Sequence, residues 1–239
     1  MKIKGVKIDE DVARILNEQD NDFPEGSFAA WYGEDLSGQT YEGDLDCSYR
    51  NLTSLFGCPS IVTGHFYCSY NKLISLEGAP EKVLGHFSCY NNKLTSLEEA
   101  PKVVGKDFYC LDNQLTSLEG APKEVRGLFD CSFNQLTSLE GAPEKVGGGF
   151  YCYDNQLTSL KGAPEKVGGG FCCNDNKLVT LEGSPEEVRG DFACYRNQLT
   201  SLKGAPKEVA GDFKCSNNPG LKSLEGIGEV KGEIYSDID

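Results

Sequence analysis

The chain has 239 residues, 23 Lys and Arg against 37 Asp and Glu, and a net charge of -14. It contains no apolar run of about 18 residues, so no membrane-spanning helix is predicted. The acidic balance also disfavours nucleic-acid phosphates and anionic lipid as direct ligands.

Residues 1–44 carry no repeat and are read as an N-terminal cap. The opening "MKIKGVKIDEDVARILNEQD" is charged and lacks a continuous apolar core, so it does not read as a secretory signal. A cytoplasmic location is expected. Within it, "IDEDVARILNE" places Ile8, Val12, Ile15 and Leu16 on one side of a short amphipathic helix. A solenoid end exposes apolar core and an unpaired strand edge, and the cap, including the only Trp, Trp31, is expected to cover it.

From residue 45 the chain becomes periodic. Cys47, Cys68, Cys89, Cys110, Cys131, Cys152, Cys173, Cys194 and Cys215 follow one another at intervals of 21. An apolar residue stands two positions before each, Leu45 and then Phe66 to Phe213. Asn stands three positions after each except the first, where Arg50 takes its place. A fixed period of this length is the signature of a solenoid. The nine units span 45–232, and 233–239 hold a last strand, "EIYS", and the C-terminal tail. One insertion after Cys215 and one deletion before Val230 cancel, which returns Ile234 to the position 21 after Phe213.

Within a unit, "V-x-G-x-F-x-C" alternates with period two and predicts a strand with Phe and Cys on one face. The following Asn is positioned to bond backbone groups that a turn leaves unpaired, and its copies form a ladder. "L-T-S-L" returns two Leu to the core. "E-G-A-P" breaks any helix on the return path. The predicted fold is a β-rich solenoid: one curved right-handed array with a concave parallel sheet of about ten strands and a non-helical convex side.

The pattern F-x-C-x-x-N-x-L-x-x-L resembles the leucine-rich repeat, with Phe and Cys in the usual Leu places. The "L-x-G-A-P-x-x-V" return is most similar to the short Pro-containing repeats of bacterial effectors and of bacterial and phage-encoded repeat proteins. That resemblance covers roughly residues 45–235. It implies a binding protein, with blockade of a host or defence protein as one specific role. Some such effectors carry a ubiquitin-ligase domain, and no residues remain here to build one.

The cysteines are read as a reduced, buried column, because free Cys packs as a small apolar residue. Cys172 differs: it neighbours Cys173 but points outward, and is the candidate reactive thiol. His65, His86 and Asp107 occupy one column on successive units and form a candidate metal set. The Ser of "LTSL" recurs in a structural position and is not a catalytic nucleophile. "VGGGF" opens a strand, so it is not a phosphate loop. No cofactor and no enzyme activity are expected.

The variable outward positions carry the functional reading. Tyr67, Tyr90, Tyr109, Phe133, Tyr151, Tyr153 and Tyr195 stand among Asp107, Asp130, Asp154 and Asp175. Tyr offers a large contact area with a polar tip and is enriched at interfaces. On the return path Glu–Lys pairs cancel. The expected partner is a protein with a basic or mixed surface patch, engaged by the Tyr/Asp-rich concave face. Two other readings stand beside it: an acidic nucleic-acid mimic that inhibits a DNA- or RNA-binding enzyme, and a metal protein or enzyme built on His65, His86 and Asp107.

Overall fold

One 21-residue unit makes one turn of a coil, and the stacked turns form a parallel β-solenoid. In the computed structural model, which describes residues 23–238, each turn contributes two strands of two residues. One set, from Leu45–Asp46 through Phe129–Asp130 to Ile234–Tyr235, forms a ten-stranded front sheet. The other, from Thr40–Tyr41 through Lys145–Val146 to Glu229–Val230, forms a ten-stranded back sheet. Each residue pairs with its equivalent one period away, as Phe129 does with Phe108 and Phe150.

The back sheet departs from the single strand expected over V-x-G-x-F-x-C. Val146 and Phe150 belong to different sheets, separated by Gly147, Gly148 and Gly149. Neighbouring turns stack so closely there that a Cβ on Gly148 would lie 2.6 Å from the carbonyl carbon of Gly127, its equivalent one turn earlier. Alternation therefore does bring Val, Phe and Cys inward, but around a corner rather than along one strand. The back sheet also starts at Thr40–Tyr41, which pairs with Ile61–Val62, inside the segment read as the cap. At the other end Ile234 pairs with Phe213 and Val230 with Val209, so the register recovers as expected.

The core consists of columns. Phe and Cys enter from the front, two Leu from "LTSL", and Val from the back, nearly all fully buried. Successive Phe rings from Phe66 to Phe213 lie 5.1 to 5.8 Å apart, mostly stacked. All eleven cysteines are unpaired. Most column thiols donate to the carbonyl of the next turn, as Cys110 Sγ does to Asp130 O at 3.4 Å. Burial raises the pKa of these thiols, that of Cys47 to about 12.

The Asn column joins the turns. Asn134 Nδ2 donates to Cys110 O, Cys131 O and Ser132 O at 3.1–3.2 Å. Its Oδ1 accepts the Leu115 N–H at 2.9 Å. The same four contacts recur, rung by rung, from Asn92 to Asn197, apart from small changes in length. Just before each Asn, and before Arg50 in the first unit, the backbone is left-handed: Tyr49, Tyr70, Asn91, Asp112, Phe133, Asp154, Asp175, Arg196 and Asn217 have φ between 51° and 58°. The second corner, at "L-x-G", is left-handed too, with Gly120 at φ 91° and Glu99 occupying the equivalent place at φ 63°.

At the N-terminal end a short helix, α1 (Phe28–Tyr32), closes the first turn. Ser27 Oγ accepts from Ala30 N, and Gly33 ends the helix in the left-handed region. Phe28 is fully buried and stacks on Tyr32, and its N–H reaches Ser54 O. Arg50 lies 5.2 Å from the centroid of Trp31, which packs partly buried against the core. The helix expected over "IDEDVARILNE" lies outside the described residues. Among the described residues no helix is long and apolar enough to cross a membrane.

Two stability outcomes follow from the corners. Asn134→Ala leaves four backbone contacts unmade and should cost about 1–3 kcal/mol by urea unfolding. The exposed control Lys145→Ala should change stability by about 0.5 kcal/mol or less; equal midpoints would remove the structural role of Asn134. Glu99→Gly should raise stability by about 1 kcal/mol, since an L-residue in the left-handed region is strained by roughly that amount. Gly120→Ala should lower it, because the added Cβ would fall 2.4 Å from Leu97 O.

Candidate partner-binding face

The outward residues of the front sheet fall into columns, and the columns differ in what the backbone asks of them. The first, just before the Phe, contains Asp44, His65, His86, Asp107, Asp191 and Asp212. Each offers a side-chain acceptor to the backbone N–H at the equivalent position one turn on. Asp44 Oδ1 takes His65 N at 2.8 Å, His65 Nδ1 takes His86 N at 2.9 Å, and Asp107 Oδ1 takes Leu128 N at 2.7 Å. His86 Nδ1 lies 3.3 Å from Asp107 N and 3.0 Å from Asp107 Oδ2. The two imidazoles stack at 4.4 Å. Burial lowers the His86 pKa, against the opposing pull of Asp107. The structure thus gives His65, His86 and Asp107 a bridging role between turns. Among the described residues no three His, Cys, Asp or Glu side chains converge on a point that could hold a metal ion.

The second column, the outward residue of each front strand, is Asp46, Tyr67, Ser88, Tyr109, Asp130, Tyr151, Cys172, Ala193, Lys214 and Tyr235. Tyr stands on alternate turns at 67, 109 and 151, with a smaller residue between. The third column, just after the Cys, contains Ser69, Tyr90, Leu111, Ser132, Tyr153, Asn174 and Tyr195. All six tyrosines expected on the face, Tyr67, Tyr90, Tyr109, Tyr151, Tyr153 and Tyr195, lie on it half-buried. Phe133, Asp154 and Asp175 do not share these columns. They occupy the left-handed corner at the sheet's edge, where Phe133 packs edge-on against Tyr153 at 5.2 Å.

A groove of 490 Å³ runs along the N-terminal half of this face. Tyr49, Tyr67, Tyr90 and Tyr109 wall it, and Asp46 and Asp130 bound it. Its floor includes Ser69 and Ser88, both buried, whose hydroxyls bond each other at 2.9 Å. The serines are site residues that sequence reasoning passed over. Their signal was present in the alternation of Tyr and Ser along two neighbouring columns, Tyr67–Ser88–Tyr109 and Ser69–Tyr90. The Tyr109 hydroxyl donates to Asp107 Oδ2 at 2.9 Å, and burial together with this bond raises its pKa to about 12. The Tyr151 ring reaches sideways toward Gly149, where an added Cβ would lie 2.9 Å from ring atom Cε1. Part of the Gly run is thus room for that ring.

The acids of the face are unequal. Asp191 is paired with Lys214 at 2.6 Å, and Asp175 lies 3.6 Å from Arg196. Asp107 is bonded on both oxygens. Asp130 is different: it is only 6% exposed and sits between Tyr109 and Tyr151 in strand register. Its Oδ1 accepts the Ser132 N–H at 3.0 Å, and the Ser132 hydroxyl stands beside the carboxylate. Burial raises its pKa above the ordinary carboxyl value. Cys172, half-buried in the same column, has its thiol pushed up to about 11 by burial and by Asp191, so its outward position is not matched by an activated thiolate.

The back of the solenoid contrasts with the front. Lys161–Glu140, Lys203–Glu182 and Lys207–Glu186 pair at 2.7 Å, and Lys166–Glu187 at 2.5 Å. These exposed pairs contribute little to stability, but they leave the back nearly neutral.

Asp130 makes a pH prediction. Its pKa is higher folded than unfolded, so the folded state holds the proton more tightly and stability falls as pH rises from about 3.9 through the folded value. The groups facing it are Tyr109, Tyr151, Tyr153 and Cys172, with Cys110, Cys131 and Cys152 behind; none is cationic at neutral pH. Asp130→Asn should therefore be at least as stable as the parent at neutral pH, with its advantage shrinking as pH falls through the raised folded value and gone by about 3.9. A parent chain more stable than Asp130→Asn at pH 7, by urea unfolding, would contradict this.

No family model and no curated protein sequence matches the chain.

Proposed function

We propose that the chain is a non-catalytic, protein-binding solenoid that engages its partner through the Tyr- and Asp-bearing front face. The observation that carries this is the division of the surface: acids and half-buried tyrosines on the front, self-paired Glu and Lys on the back. Rigid aromatic groups with polar tips are common anchors at protein interfaces, and uncompensated carboxylates steer a basic partner. The 21-residue unit with its Pro-containing return supports a leucine-rich repeat relationship. With that comes an intracellular bacterial or phage protein that blocks a host or defence protein. Eleven unpaired cysteines suit a reducing compartment such as the cytoplasm.

A nucleic-acid mimic needs a dense, regular row of free carboxylates. Here Asp107, Asp175 and Asp191 are engaged by neighbours, and tyrosines interrupt the rest. The protein-binding reading is the better supported of the two.

The test is affinity capture from lysate of the native host, with captured proteins identified by mass spectrometry. Tyr109→Ala combined with Tyr151→Ala should weaken capture by roughly thirtyfold for each lost anchor, at about 2 kcal/mol each, with the melting temperature close to the parent's. Charge reversal at Glu144 or Glu165, on the back, should leave capture intact. Loss of capture by the back-face changes but not by the tyrosine changes would put the binding face on the wrong side.

A further inference from the structure

The groove on the front face has a regular spacing along the solenoid axis. One of its columns reads Asp46, Tyr67, Ser88, Tyr109 and Asp130 on five successive turns in strand register, and all five line the groove. The two tyrosines stand as ridges, and the shorter residues at 46, 88 and 130 leave low points between and beyond them. At ~4.8 Å per turn the low points lie about 9.6 Å apart, and Asp46 lies about 19 Å from Asp130.

The two outer low points are chemically alike. Asp46 and Asp130 each open an Asp-Cys-Ser triplet, and each accepts the N–H of its Ser, at 2.9 and 3.0 Å. The middle low point is neutral, since Ser88 Oγ bonds Ser69 Oγ beside Tyr90. The opposite wall is aromatic: Tyr49 stacks on Tyr70 at 4.3 Å, and Tyr70 meets Tyr90 edge-on at 5.0 Å. Among the described residues, two carboxylates line the groove and no Lys or Arg does.

These spacings select a conformation as well as a charge. An occupant lying along the axis must repeat about every 9.6 Å. An extended β segment repeats one face about every 6.8 Å, which misses that spacing. An α-helix is about 10 Å across, wider than the two-residue step of about 7 Å between the columns of Tyr67 and Tyr90. A polyproline II helix turns once in three residues, about 9.3 Å, and six of its residues cover about 18.6 Å. Its residues i, i+3 and i+6 therefore fall on the three low points, with a mismatch of about 1 Å or less over the whole length. Residues i and i+6 then face carboxylates, and i+3 faces Ser88 between two tyrosines. A proline ring suits that middle place, because it packs on aromatic rings and brings no N–H to satisfy.

We infer that the groove from Asp46 to Asp130 is a docking site for a polyproline II segment of the protein partner, with proline at its centre and basic residues six positions apart at its ends. The inference rests on the front-face binding reading and deepens it by naming the segment that the face receives. Such a segment is largely ordered before it binds, so little chain entropy is lost on docking.

The experiment uses the full chain, labelled in its tyrosine rings, and capped synthetic peptides followed by NMR. The probe is KPPPPPK. KPPPKPP has the same composition with its basic residues four apart, and KGGGGGK has the same charges on a flexible chain. KPPPPPK should bind saturably and shift the rings of Tyr67, Tyr90 and Tyr109, with Tyr235 unmoved. Each control peptide should bind about tenfold more weakly or less. Ser88→Tyr fills the middle low point with the residue its column carries on both neighbouring turns, and should lower affinity about tenfold or more. Asp46→Asn, at an exposed position, removes one charge and should lower it about threefold or more. No saturable binding of KPPPPPK, equal binding of either control peptide, or unchanged affinity in Asp46→Asn overturns the inference. So does maltohexaose, a neutral sugar chain, shifting the same rings when the peptide shifts none.

The two readings fail separately. Partner capture lost in the Tyr109→Ala, Tyr151→Ala variant, with no binding of KPPPPPK, rejects the polyproline segment alone. Capture intact in that variant rejects the binding face, whatever the peptides do.

Discussion

Each turn of this solenoid leaves backbone donors and acceptors at its corner that no two-residue strand can satisfy, and the Asn column satisfies them. One Asn amide closes its own corner through the carbonyls two and three residues back, and ties that corner to the turn before through one donor and one acceptor. Buried backbone groups left unpaired are costly, so the corner, the rung spacing and the register all depend on this contact. With strands this short, sheet bonding alone would be a weak restraint on register. The Phe and Cys columns then stack because the Asn column has set where each turn begins.

The same economy operates on the front face. Asp44, His65, Asp107, Asp191 and Asp212 all accept the next turn's backbone N–H. A column that looks like a row of catalytic or metal-binding groups is therefore largely a second set of ties between turns. What remains outside those ties is narrower: the tyrosines on alternate turns, the serines beneath them, and Asp130. Because the ties hold the backbone, the outward positions beside them vary freely without disturbing the core.

Asp130 and Ser132 form the buried polar pair of the middle turns: the carboxylate accepts the Ser132 N–H, and the Ser132 hydroxyl beside it is shut off from solvent. A repeat protein can tolerate such a site, since its stability is close to a sum over neighbouring turns and a local cost stays local. On the proposed binding reading, flanking turns that hold Tyr109 and Tyr151 in place lower the entropy lost when a partner binds.

The sequence by itself determined the period, the core columns, the Asn ladder, the recovered register at Ile234 and the grouping of Tyr and Asp on one side. These follow from identity repeated every 21 residues, because an invariant position in a stacked coil has one environment. Only the tertiary structure decided that Val and Phe lie on two sheets. Alternation is the same whether a chain runs straight or turns at a glycine, so the pattern could not distinguish them. The tertiary structure also decided which outward residues are free. His65, His86 and Asp107 read alike with Asp130 as polar side chains, but the first three face an N–H of the next turn and Asp130 faces none. Phe133, Asp154 and Asp175 were separated from the tyrosines for a similar reason: their left-handed backbone turns them to the edge, and φ is not written in a side chain's name. Burial of a carboxylate depends on the neighbours one turn above and below, 21 residues away in the chain, and only the stacked coil brings them together.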